Sequence, residues 1–146
     1  MNWTLKEFSQ LNVHELYAIL RLRIDVFIVE QNCPFQDADN KDQQAYHLMG
    51  HADKELVAYS RLLRAGISYP EASIGRVISA SFARHSGIGK KLMIESIDTI
   101  YRLYGQQPIR IGAQLFLKRF YESFGFQQSS EMYLDDGIEH IEMLLN

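Results

Sequence analysis

Cysteine is almost absent from this chain: Cys33 is the single one in 146 residues. No disulfide can form within one chain, and a reducing interior is the compartment that such usage suits. Long apolar runs are missing too. None approaches the roughly 18 residues of a membrane span, so no membrane association is expected. The first residues, "MNWTLKEFSQ", have no basic region leading into an apolar one, which argues against a secretion signal. Positive charge is sparse: 15 Lys and Arg against 18 Asp and Glu give a formal net charge of -3, and no basic block exceeds Lys90–Lys91 or Lys118–Arg119. Nucleic acid is therefore not an expected partner, because its phosphates demand a basic track. No repeat or low-complexity tract is visible. What remains is 47% hydrophobic and 23% charged, a composition that suits one packed cytoplasmic domain over residues 1–146.

The periodicities alternate between strand and helix. "MNWTLKEF" reads as an edge strand. Val13, Leu16, Tyr17, Leu20, Ile24 and Phe27 form one helical stripe behind a cap at Asn12. "EQNCPFQDADNKDQQ" interrupts it as a loop. "AYHLMGH" and "ELVAYSRLLR" make a hairpin around "ADK", and "SIGRVIS" is the next strand. A helix follows Gly89, carrying Met93, Ile97, Ile100 and Tyr104, with Gly105 placed to end it. "PIRIGAQ" is a strand, "LFLKRFYESFGF" a short helix closed by Gly125. "QQSSEMYL" and "IEHIEMLL" pair around Asp136–Gly137. Hairpins on both sides of a β–α–β–α section predict an α/β chain with a mixed sheet and helices over its faces.

The junction between strand and second helix, "SFARHSGIGKKLM", holds Gly87 and Gly89. Three phosphate loops compete for it. The nucleotide P-loop needs a glycine where Arg84 stands and a hydroxyl where Lys91 stands. The dinucleotide fingerprint needs a glycine at Leu92 and an acid closing the next strand, which ends in Gln114. The pattern [QR]-x-x-G-x-[GA] is filled at every fixed position by "RHSGIG". Backbone N–H groups at such a turn have no helical acceptor and point at an anion, and the glycines remove side chains that would block it.

On "RHSGIG" the chain resembles the Gcn5-related N-acetyltransferase superfamily. "LRIDVFIVEQNCPFQDADNKDQQAYHL", "AQLFLKRFYESFGF" and "DDGIEHIEM" extend that likeness to its ElaA-like branch over residues 20 to about 143. Departures are mild: Phe35 replaces a usual Tyr, and His85–Ser86 replace a more usual Gly-Lys type pair.

The resemblance implies the acyl-CoA N-acyltransferase fold. It implies transfer of the acetyl group of acetyl-CoA directly to a primary amine of a small molecule or a protein, without a metal. Arg84, His85, Ser86, Gly87, Ile88, Gly89 and Lys90 would hold the pyrophosphate. Val77, Ile78 and Ser79 would give main-chain bonds to the pantetheine arm. Tyr121 is the candidate acid that protonates the leaving thiolate; the alternative is core packing with Phe120 and Phe124. His47 and His140 are candidate bases, or satisfied core histidines on apolar strands. His47 and His51 lie about 13 Å apart on a strand, too far for a metal pair. Glu30, Asp37, Asp39 and Asp42, around Lys41, fall on the acceptor side and would suit a cationic amine; the plain alternative is a solvated acidic loop. Cys33 has no assigned base beside it and reads as a partly buried thiol. Terminal strands often mediate dimers in this superfamily, so a homodimer is implied as an option. The rival readings are a different acyl group, and a non-catalytic acyl-CoA-binding or partner-binding module.

Overall fold

The computed structural model describes residues 1–146. Strand β1 (Asn2–Glu7) lies at one edge of the sheet. It pairs antiparallel with β2 (Tyr46–Ala52), and β2 with β3 (Glu55–Leu63). Gly50 sits under Trp3: a Cβ there would come 2.7 Å from the indole. Strand β4 (Ala72–Ser79) pairs antiparallel with β3. Helix α2 (Ile88–Tyr104) crosses over, so β5 (Ile109–Gln114) runs parallel to β4. After the short helix α3 (Lys118–Glu122) come β6 (Gln127–Gln128), β7 (Tyr133–Asp135) and β8 (Ile138–Leu145). The order across the mixed sheet is β1-β2-β3-β4-β5-β8-β6, with β7 on β8. The β7–β8 turn at Asp136–Gly137 takes φ of 49° and 79°, the left-handed pair that a two-residue hairpin requires.

Helix α1 (Val13–Arg23) starts at Asn12, whose side chain accepts from the Glu15 N–H at 2.8 Å, and it continues as a π-helical segment, Ile24–Glu30. Its inner face differs from the expected stripe. Val13, Tyr17 and Ile24 are exposed, while Ile19, Leu22, Arg23 and Val26 are buried. The face is rotated because a charged residue, Arg23, holds a core position with partners supplied by distant segments.

Helix α2 buries Ile88, Leu92, Met93, Ser96, Thr99 and Ile100. Full burial of each large aliphatic contributes about 1.5–3 kcal/mol. Ser96 donates to the Leu92 carbonyl at 2.7 Å, so the Ser60 hydroxyl donates to Ser96 at 2.8 Å and ties the helix to β3. Gly105, at φ 85°, ends the helix as expected.

Candidate active site

Strands β4 and β5 are paired only at Ala72–Ile109 and Ser73–Arg110. Beyond that point β4 stays bonded to β3 as far as Ser79, and β5 to β8 as far as Gln114. The sheet therefore opens as a wedge. Between Tyr59 and Arg61 the β3–β4 register shifts by one residue, and Arg76 takes φ 49°. This is a β-bulge, which re-aims the β4 backbone toward the opening. A cavity of about 840 Å³ fills the wedge.

At the wide end lies the glycine turn. Arg84 N bonds to the Ser81 carbonyl and Lys91 N to the Gly87 carbonyl, and no N–H from His85 to Lys90 has an acceptor in the chain. Gly87 is left-handed at φ 78°, and so is His85 at 71°. Six unpaired donors at the start of a 17-residue helix make an anion cradle. Val77, Ile78, Ser79, Arg84 and Gly89 line the cavity. His85, Ser86, Gly87, Ile88 and Lys90 belong to the turn itself and do not line it; Ile88 is buried in the core.

Tyr121 projects from α3 onto the cavity wall. Its ring packs edge-on against Phe120 and Phe126, with centroids 5.1 and 6.1 Å away. Burial pushes its phenol up to about 12, and no other group in the chain offsets this. The acid and packing readings of Tyr121 are thus compatible.

The two histidines part company. His140 lines the cavity, stacked on Tyr133 at 5.9 Å. Its Nδ1 lies 2.8 Å from the Ile138 carbonyl. A carbonyl only accepts, so Nδ1 carries the proton and Nε2 keeps a lone pair. His47 is 1% exposed and away from the cavity. Its Nε2–H donates to the Asp42 carbonyl at 2.9 Å, and its Nδ1 accepts from the Tyr59 hydroxyl at 2.7 Å. Burial lowers its pKa, with the Asp42 carbonyl opposing in part. Both nitrogens are occupied, which corrects the reading of His47 as a base and favours the satisfied core histidine: it is a structural link between β2 and β3.

The acidic loop is also corrected. Asp37 and Asp42 are buried and off the cavity wall. Asp37 accepts from Arg23 Nε at 2.8 Å and Arg76 Nε at 2.9 Å; Asp42 accepts from Arg23 Nη1 at 2.8 Å and Arg61 Nη1 at 3.0 Å. Asp39 reaches the cavity, but it accepts from both Arg61 Nη atoms at 2.7 and 2.9 Å, and from Arg76 Nη2 at 3.3 Å. Burial would raise its pKa; the bonds and charge of Arg61, with Arg76, outweigh that and hold it at about 2. Three arginines match three aspartates, so neither a solvated acidic loop nor a free anionic patch exists here. Glu30 pairs with Arg84, which also donates to the Ser79 carbonyl at 3.1 Å. That pair joins the end of the π-helical segment to the glycine turn, and both residues line the cavity.

Sequence reasoning missed Arg76 and the amide pair Gln31–Gln114, which meets across the cavity wall at 3.3–3.4 Å. Gly75 inside a strand pattern was a signal of the bulge. The glutamines carried none. Cys33 lies on the cavity wall, its thiol 3.4 Å from the Asp136 carbonyl, and docks the β7–β8 turn.

A sheet splayed between two parallel strands, with an anion cradle at its open end, defines the acyl-CoA N-acyltransferase fold. The family described as Acetyltransferase (GNAT) domain matches residues 18–146, and the chain belongs to it. Among its relatives, protein ElaA of Escherichia coli (strain K12) is 41% identical, over 98% of this chain and 95% of that protein. The crystal structure of E. coli ElaA superposes with a TM-score of 0.93 at 40% identity, covering 99% of each chain. That of an acyl-CoA N-acyltransferase from Pseudomonas aeruginosa gives 0.94 at 40% identity, covering both chains fully. An aminoglycoside 6'-N-acetyltransferase complexed with coenzyme A shares the fold, with a TM-score of 0.71 at 14% identity, covering 97% of this chain and 95% of that one. No helix is long and apolar enough to cross a membrane.

Proposed function

We propose that this protein transfers an acetyl group from acetyl-CoA directly to a primary amine. The observation that carries this reading is the wedge between β4 and β5 with its unpaired N–H cradle at the open end. A pyrophosphate fits six donors, and an extended acyl-pantetheine arm fits a strand edge that has lost its neighbour. Acetyl-CoA is a substrate here, not a resident group.

The roles follow from position. His85 to Lys90 bind the pyrophosphate through the backbone. Val77, Ile78 and Ser79 offer the free edge of β4, and the bulge at Arg76 turns backbone N–H toward the thioester carbonyl, where negative charge grows as the amine adds. The amine nitrogen bonds to the carbonyl carbon, and the carbon–sulfur bond then breaks. His140 Nε2 takes the proton that the amine sheds, directly or through one water. Tyr121 gives its proton to the departing thiolate and regains one from solvent. The elevated phenol pKa keeps that proton in place at neutral pH.

A thiol-release assay with acetyl-CoA against small amines, polyamines and peptides tests the reading, beside a direct CoA titration. CoA binding without turnover of any amine makes the protein a binding module. Absence of CoA binding removes the donor assignment altogether.

A further inference from the structure

The narrow end of the cavity, remote from the anion cradle, is furnished differently from the rest. Lys41 reaches over it and its Nζ donates to the Ser68 hydroxyl at 2.9 Å. No carboxylate lies within ion-pair distance of that ammonium, although Asp37, Asp39 and Asp42 flank it in sequence: all three are spent on Arg23, Arg61 and Arg76. Beside it, Tyr69 brings a hydroxyl 3.0 Å from where a Cβ on Gly112 would sit, and Tyr133 brings another at 3.3 Å. Neither hydroxyl has a partner in the chain, and burial, with the nearby Tyr133, Glu142 and Asp135, pushes Tyr69 up to about 12, so it keeps its proton. Arg61, on the same wall, keeps its buried Nε–H without any acceptor. Lys41 and Ser68 thus present to the cavity a cation that no carboxylate of the chain neutralises.

The β7–β8 side of the cavity is acidic, and the charges of Asp135 and Glu142 reach Tyr69 and Tyr133. Asp135 and Asp136, on the β7–β8 turn, line the cavity beside His140. His140 faces Gln114 across the β5–β8 ladder, two residues along β5 from Gly112. That step is about 7 Å.

We infer that the acceptor is an amino carboxylate, its amine presented at His140 and its carboxylate held by Lys41 and Ser68. The inference rests on the acetyltransferase reading above and names the acceptor class. One unneutralised cation fits a monoanion, so a carboxylate is assigned rather than a phosphate dianion. 5-Aminopentanoate, an extended chain with an amine at one end and a carboxylate at the other, serves as the probe.

The test measures thiol release with 5-aminopentanoate, its amide, n-pentylamine and O-phosphoethanolamine as acceptors. It is paired with titration of 5-aminopentanoate into the CoA-loaded protein. The expected result is a kcat/KM for 5-aminopentanoate at least about tenfold above the amide and the alkylamine, as a charge-assisted contact supplies. Lys41→Met should collapse that preference about tenfold, and Lys41→Arg should largely keep it. Equal rates for the amide or alkylamine, a better rate for O-phosphoethanolamine, or an unchanged preference in Lys41→Met overturns the inference while leaving acetyl transfer standing. If CoA binds but no amine turns over, the titration decides. Binding of 5-aminopentanoate that Lys41→Met removes supports the site, and no binding overturns it. Loss of CoA binding in the wild-type protein instead removes the reading on which the inference rests.

Discussion

Arg76 and Asp37 are joined twice: the guanidinium Nε–H donates to the carboxylate at 2.9 Å and Nη2–H donates to the Asp37 carbonyl at 2.9 Å. Asp37 receives Arg23 in the same two ways, at 2.8 and 2.9 Å. One loop aspartate therefore ties the inner face of α1 to the left-handed residue of the β4 bulge. The backbone that faces the wedge is held by a charge network rather than by strand pairing, because on that side β4 has no neighbour.

Asp37→Asn should destabilise the protein by about 3 kcal/mol. Removing one member of a buried charge group leaves its partner uncompensated, and Arg23 is fully buried. Asp42 still holds Arg23 Nη1, which keeps the loss at the lower end of that range. Denaturant titration at pH 7 measures it. A loss under about 1 kcal/mol means that the remaining aspartates absorb the charge, and that Asp37 does not fix the bulge.

Gly87→Ala should cost about 1–2 kcal/mol of stability through its φ of 78° alone, since no atom lies near enough to clash with the added methyl. Gly87→Glu adds a carboxylate at the cradle and should weaken CoA binding by more than about tenfold, beyond the effect of the alanine variant. Equal CoA affinity in wild type and Gly87→Glu would remove the pyrophosphate from this turn.

Much of this was legible because its causes are local. The cradle needs only two glycines and a helix start, and the Asp136–Gly137 turn only its φ angles. The inner face of α1 was not legible. Arg23 is apolar in neither pattern nor chemistry, and it is buried only because Asp37 and Asp42 return to it from 14 and 19 residues away. For the same reason the sequence left His47 open between a base and a satisfied core histidine. Strand alternation put it on a face, but its Tyr59 partner comes from the next strand. The wedge itself is a failure of pairing between β4 and β5, and no residue in either strand announces where pairing stops.

His47 gives the stability curve a defined slope. Its native pKa lies below the usual 6.5, so the unfolded chain takes up the proton first as pH falls. The contribution is complete above pH 6.5 and declines as pH drops toward the native value, at no more than about 1.4 kcal/mol per pH unit. Asp39 acts in a separate, lower window: its stabilisation is present above 3.8 and is lost as pH falls through about 2. His47→Gln keeps a donor and an acceptor, and should flatten the curve below pH 6.5 while leaving the lower window in place. Urea midpoints across that range check it. An unchanged slope means that His47 does not titrate differentially.

Tyr121→Phe separates chemistry from packing. The ring contacts with Phe120 and Phe126 survive the substitution, and the hydroxyl has no partner in the chain to lose. Stability should therefore stay within about 0.5 kcal/mol of wild type. CoA affinity should also hold, because the cradle lies elsewhere. The turnover number should fall about a hundredfold, since the thiolate then leaves without a positioned acid. A variant that binds CoA normally and turns over at the wild-type rate would show that solvent protonates the thiolate. In that case the wedge would be catalytic through the positioning of donor and amine alone, with the β4 backbone as its only electrophilic aid.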